Sequence, residues 1–189
     1  YGESGFHVSD KTGCIDGIIK DGKNIMLDPL ELSVLRAPTD NERNLAQYWY
    51  RLDIWQGENL DCLFNKVYTV AAEGSEITVT GSIAGVSHVP FFRYKQTVSF
   101  REGGVAHVSL KGKIRENCIW LPRLGYEARL KKSVSAFEYL GAGPSESYCD
   151  MHNASPVGVY RSTAAKEYVN YVMPQEHGNH SRCKMLEIK

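Results

Sequence analysis

The sequence predicts a mainly β protein, a large antiparallel β-sandwich with one short helix near residues 45–56. Three observations carry this. Apolar residues alternate with period two through most of the chain. The alternating runs are separated by short clusters of Gly, Asp and Asn, the residues that close hairpins. Only one segment has helical spacing, and many short strands around a single helix favour a sandwich over a layered α/β fold.

In chain order, Phe6 and Val8 alternate before the turn cluster Asp10-Lys11-Thr12-Gly13. Ile15 to Ile19 runs into Asp21-Gly22-Lys23-Asn24, so Cys14 to Met26 is expected to be a hairpin. Leu30, Leu32 and Val34 alternate next. Leu45, Tyr48, Trp49, Leu52 and Trp55 share one helical face, with Asn41 or Asn44 available as a cap and Gly57 as a stop. Val67–Glu73 and Ile77–Ala84 are joined at Gly74-Ser75 as a second hairpin. Phe92, Tyr94, Gln96, Val98 and Phe100 line one face of a strand that Glu102-Gly103-Gly104 turns into Val105–Ile114. Leu124, Tyr126, Ala128 and Leu130 form a further alternating run. One continuous domain over residues 1–189 is expected; the alternative is two lobes bridged by residues 36 to 64.

Composition narrows the function classes only slightly. Lys plus Arg equal Asp plus Glu at 22 each, so no basic field is present to attract nucleic acid or an anionic membrane surface. No apolar run approaches the roughly 20 residues of a membrane helix. Five cysteines (Cys14, Cys62, Cys118, Cys149 and Cys183) are scattered without a C-x-x-C pair. They read as buried reduced thiols, which favours a reducing, cytoplasmic setting. The chain opens on Tyr1-Gly2-Glu3 without Met and is expected to be part of a longer protein.

Three polar segments could carry chemistry. Leu35-Arg36-Ala37-Pro38-Thr39-Asp40-Asn41-Glu42 places a guanidinium, a carboxylate and an amide close together, the donor and acceptor set that grips sugar hydroxyls. The plainer account is local: Pro38 stiffens the turn, Asp40 or Asn41 caps the helix, and Arg36 pairs with Asp40. Leu140 to Tyr148 is Gly-rich but lacks phosphate-loop spacing, and Pro144 removes an amide donor; it reads as a crossover in which Glu146 anchors backbone amides. Met173 to Arg182 gathers Glu176, His177, Asn179 and His180 into what is either a sugar contact or a buried hydrogen-bond network. His177 and His180 lack a third ligand and Gly178 argues against a helix, so no metal is expected. Tyr48, Trp49, Trp55 and Trp120 could stack on sugar rings, although stripes of this kind are more often core. The sequons at Asn153 and Asn179 arise easily by chance. No nucleophile–base arrangement stands out, and nothing selects two of the 22 acidic residues as the pair that glycoside hydrolysis requires.

The segment Arg36-Ala37-Pro38-Thr39-Asp40-Asn41-Glu42 resembles a signature of the C-terminal domain of family 2 β-galactosidases, close to W-R-A-P-T-D-N-D. Phe137 to Tyr148, followed by Asp150, is similar to the family's W-x-G-x-G-P-x-E-x-Y stretch, and Tyr171 to His180 is similar to its Y-V-x-P-Q-E-x-G-N run. Leu35, Glu42 and Cys149 depart from the pattern and leave the substrate subgroup open. The resemblance implies a sandwich of the galactose mutarotase type within a multidomain glycoside hydrolase. It implies a parent that hydrolyses terminal β-D-galactosyl residues with retention, using a Glu pair on an upstream (β/α)₈ barrel. No catalytic residue and no cofactor are expected in this chain. Its expected partners are that barrel, galactoside sugars and, as an option, further copies of itself. Its own expected role is to support the active site and contact carbohydrate, through Arg36, Asp40, Asn41, Glu176, His177 and Asn179. The family also takes an aromatic sugar contact from a segment further along, before which Lys189 is expected to stop. The alternatives are an aldose 1-epimerase using His177 with Glu176 or Glu146, or a structural module that docks domains or subunits.

Overall fold

The computed structural model describes residues 4–40, 42, 58–117 and 121–189. It is mainly β, and every strand pair formed among the described residues is antiparallel. The chain divides into two compact units, Tyr1–Leu35 with Tyr50–Arg129, and Arg36–Trp49 with Leu130–Lys189.

In the first unit, β1 (Gly5–Val8), β2 (Ile15–Lys20) and β3 (Lys23–Asn24) form one sheet in that order. The β2–β3 turn has positive φ at both Asp21 (50°) and Gly22 (70°), the backbone twist that suits a two-residue hairpin. A short pair joins β4 (Glu31–Ser33) to β9 (Gly125–Glu127). The largest sheet is a meander of β5 (Leu63–Glu73), β6 (Glu76–Gly85), β7 (Phe92–Arg101) and β8 (Val105–Ile114). Gly74, and Gly103 with Gly104, supply positive φ at its turns. Both hairpins fall where the alternation places them.

Strand β7 shows why the sheet has an inside. Phe92, Tyr94, Gln96 and Val98 are buried, while Arg93 and Lys95 between them face water. Phe92 and Tyr94 join Val34, Leu60, Val79, Ile83 and Phe91 in the core cluster of the unit. Each large apolar side chain so buried contributes about 1.5–3 kcal/mol. The smaller sheets cover this face. Phe6 of β1 lies 5.9 Å from Phe100 of β7, and Tyr126 of β9 donates a 2.7 Å hydrogen bond to the buried Gln96 amide oxygen. Gly13, with φ of 64°, runs so close to β6 that a Cβ there would sit 2.3 Å from Val79 Cγ2. The result is the expected antiparallel sandwich.

The second unit centres on β10 (Ala136–Ala142), flanked by β11 (Val157–Thr163) and β12 (Met185–Ile188). A 3₁₀ turn at Lys132–Val134 leads into β10. Tyr139, 2% exposed, is its anchor; its ring lies 5.6 Å from that of Tyr160 and 4.4 Å from that of His180. Long loops follow β10 and β11, and the polar motifs lie on them.

Two expectations need amendment. The run from Leu124 to Leu130 yields only the three-residue β9, because Leu30 gives its amide to Ile15 and the ladder with β4 begins at Glu31. Among the described residues the thiols are not buried: Cys62, Cys149 and Cys183 are exposed and Cys14 half-buried, all four free, because they sit in turns and loops rather than inside strands. Asp40 and Glu42 are helical, but the helix expected at 45–56 lies outside the described residues, as do Asn41, Tyr48, Trp49, Trp55, Cys118 and Trp120. No helix among the described residues is long and apolar enough to cross a membrane.

Candidate functional site

All three polar motifs belong to the second unit, and backbone-directed hydrogen bonds tie them together. The Gly-rich segment leaves β10 through a cis Gly143–Pro144 bond. Beyond it, Ser147 is fully buried. Its amide donates to the Asn179 carbonyl at 2.6 Å, and its carbonyl accepts from the Asn179 side-chain amide at 2.7 Å. Its Oγ accepts from the Ser181 amide at 2.9 Å. Next to it, the Glu146 carboxylate accepts from the Gly178 amide at 2.8 Å and from the Tyr171 hydroxyl. Gly178 is required here: φ is 74°, and a Cβ would meet the Glu167 carbonyl at 2.9 Å. The expectation that Glu146 anchors backbone holds, with Gly178 as the amide it takes.

The Arg36 segment joins the same loop. Glu176 gives its amide to the Pro38 carbonyl at 3.1 Å, and the Asp40 amide donates to Gln175 Oε1 at 2.6 Å. The expected Arg36–Asp40 pair is replaced by a bidentate bond from Arg36 to Glu42, both contacts at 2.6 Å. Thr39 caps the helix start. Thr39 Oγ1 accepts from the Glu42 amide at 3.3 Å, and Glu42 Oε2 accepts from the Thr39 amide at 2.7 Å. This reciprocal T-x-x-E box is readable in the sequence at Thr39-Asp40-Asn41-Glu42. Glu42 wins over Asp40 because its longer side chain reaches both the Thr39 amide and the guanidinium. Burial works to raise the Glu42 pKa, but the Arg36 hydrogen bonds and the Thr39 amide outweigh it and hold the carboxyl below its ordinary range.

The two histidines have different surroundings. His180 Nε2 lies 2.7 Å from Glu167 Oε2, while its Nδ1 is 3.0 Å from the Ala142 carbonyl and 3.1 Å from the Tyr139 hydroxyl. Both ring nitrogens are thereby occupied by protein oxygens. Burial, then Glu167, pushes the Tyr139 phenol up to about 12. His177 stands edge-on to Tyr168 at 5.1 Å, and its Nδ1 is buried with no hydrogen-bond partner. Neither Glu176 nor Glu146 hydrogen-bonds to it among the described residues. Tyr148 also buries an unpartnered hydroxyl, pushed up to about 12 by burial and then by the carboxylates of Glu176 and Glu146.

The motifs thus come together, but their strongest polar groups point into the protein. Arg36, the Asn179 amide, Glu146 and His180 are engaged with other residues, whereas the Asp40 side chain lies on the exposed surface. Ser147 and Glu167, which organise the network, do not stand out in the sequence, because a lone Ser or Glu carries no spacing signal. Among the described residues, no three His, Cys, Asp or Glu side chains are grouped to hold a metal.

The diagnostic loops of this β-rich unit are bonded to one another rather than opened around a reactive group. The model of the β-galactosidase small chain matches residues 2–189, and the chain belongs to that family. It is 29% identical over 190 residues to the β-galactosidase of Actinobacillus pleuropneumoniae, covering 98% of this chain and 18% of that protein. It is 31% identical over 200 residues to the β-galactosidase of Kluyveromyces lactis, covering 98% and 19%. Against the β-galactosidase of Lactobacillus delbrueckii subsp. bulgaricus the identity is 27% over 160 residues, covering 84% and 15%. The chain therefore spans less than a fifth of the length of these relatives, and the resemblance read from the three motifs is confirmed at the level of the family.

Proposed function

We propose that this chain is the supporting small-chain part of a β-galactosidase that removes terminal β-D-galactosyl residues with retention, using two carboxylates held on a catalytic barrel elsewhere in the same protein. Its own work in this reading is structural: it fixes the three motif loops as a rigid surface against which the catalytic part is held. One observation carries the reading. The side chains expected to touch sugar, Arg36 and Asn179 above all, are instead bonded to Glu42 and Ser147 within the unit. Sugar contact through Asp40, Glu176 or His177 remains part of the proposal only as a minor contribution at the edge of this network.

The test separates support from contact. In the intact protein, Asn179→Ala should speed thermal inactivation of β-galactoside hydrolysis while leaving KM within about twofold. A large rise in KM at unchanged thermal stability would assign Asn179 to sugar binding and overturn the structural reading.

A further inference from the structure

The second unit contains a cavity of about 800 Å³ that none of the three motifs predicts as a site. Its base includes Tyr139 and Tyr160, neighbours on β10 and β11, with Ser162 beside them. The turn from Tyr148 to Ser155 contributes Asp150 and Asn153, and the turn after β11 contributes Lys166. Both turns are held locally. Met151 returns its amide to Tyr148 at 3.2 Å, Ser155 to His152 at 3.1 Å, and Lys166 to Thr163 at 2.9 Å. The side chains are thus carried on backbone that is already bonded.

The charges that line this cavity fall into two groups. Glu146 is bonded to Gly178 and Tyr171, Glu167 to His180, and Arg161 to Glu138. Asp150, Asn153 and Lys166 make no side-chain hydrogen bond or ion pair within the described residues. What remains without a protein partner is one carboxylate, one ammonium and one amide, beside the ring of Tyr160. Hydroxyl groups both donate and accept, so a polyol can satisfy all three polar groups together. An anion would meet Asp150 and a cation would meet Lys166. An aromatic wall with a few convergent polar groups, in a space of this size, is the usual form of a small-molecule site.

We propose that this cavity binds a neutral mono- or disaccharide, its hydroxyls held by Asp150, Asn153 and Lys166 and its apolar face laid on Tyr160. The choice of sugar rests on the reading that the chain serves a β-galactosidase; the neutral polyol class rests on the cavity alone.

Amide hydrogen exchange of the intact protein, followed by mass spectrometry with and without galactose or lactose at saturating concentration, tests this. Exchange in peptides covering residues 145–169 should slow at least twofold, and Asp150→Ala, Asn153→Ala or Lys166→Met should abolish the slowing. These positions are exposed and lie on two separate turns, so a fold lost in one variant leaves the other turn to report. No slowing in the wild-type protein overturns the site, as does slowing that survives all three substitutions. Equal or greater slowing by galacturonate or galactosamine overturns the neutral class. Hydrolysis of a chromogenic β-galactoside by the same preparation reports separately on the functional reading: activity without slowing refutes only the cavity, and slowing without activity refutes only the β-galactosidase assignment.

Discussion

Glu146 joins the Gly-rich segment to the Tyr171–His180 loop, since one carboxylate takes both the Gly178 amide and the Tyr171 hydroxyl. Glu146→Ala leaves two donors without their acceptor and should cost about 2–3 kcal/mol, measured by urea denaturation of the chain. Glu146→Gln keeps an acceptor oxygen and should cost less. Glu42 gives a pH signature. Its folded pKa lies below the ordinary value of 4.5, so it stabilises the fold fully above that value, and the stability is lost as pH falls through the folded pKa. Glu42→Gln should therefore reduce stability at neutral pH by about 1–2 kcal/mol, and the gap to wild type should narrow below pH 4.5. A gap that stays constant down to the acid transition would contradict the role given to Glu42. At this scale the sequence is only partly legible. The T-x-x-E box is in plain view, yet the pairing of Arg36 with Glu42 rather than Asp40 depends on side-chain reach, which a linear reading does not measure.

The elements were the most legible part. Alternation places β7 and its buried face residue by residue, and the Gly and Asp clusters mark the turns, because a half-buried strand imposes period two on its side chains. What alternation does not give is partnership. Gln96 reads as one member of an apolar face and is buried only because Tyr126, on a strand thirty residues away in sequence, supplies its hydrogen bond. Tyr126→Phe should leave the Gln96 oxygen unpartnered at a cost of about 1–3 kcal/mol, whereas the double variant Tyr126→Phe with Gln96→Leu should recover part of the loss. Additive losses in that cycle would mean the bond contributes nothing. The shortness of β9 has the same origin, since the amide of Leu30 goes to a strand that local pattern does not connect with it.

For the whole molecule, the sequence conveys membership of a family more readily than mechanism. The three motifs identify the β-galactosidase small chain because their order is specific, but they mark loops that hold one another, and the cavity beside them is lined partly by the Gly-rich motif and partly by residues outside any motif. The expected sugar contacts and the cavity do not coincide, because Asn153 and Lys166 carry no spacing that marks them as partners of Asp150 in the linear sequence. The rival epimerase reading takes His177 with Glu176 or Glu146 as acid and base toward a sugar; in the structure His177 stands edge-on to Tyr168. Polarimetry of fresh α-galactose should accordingly show mutarotation at the buffer rate in the presence of the chain. The most direct test of the central claim is hydrolysis of a chromogenic β-galactoside by the intact protein and by the isolated 189-residue chain, with circular dichroism verifying that the isolated chain is folded. Turnover by the intact protein and none by the folded chain is the result predicted; turnover by the chain alone, or none by the intact protein, would contradict it.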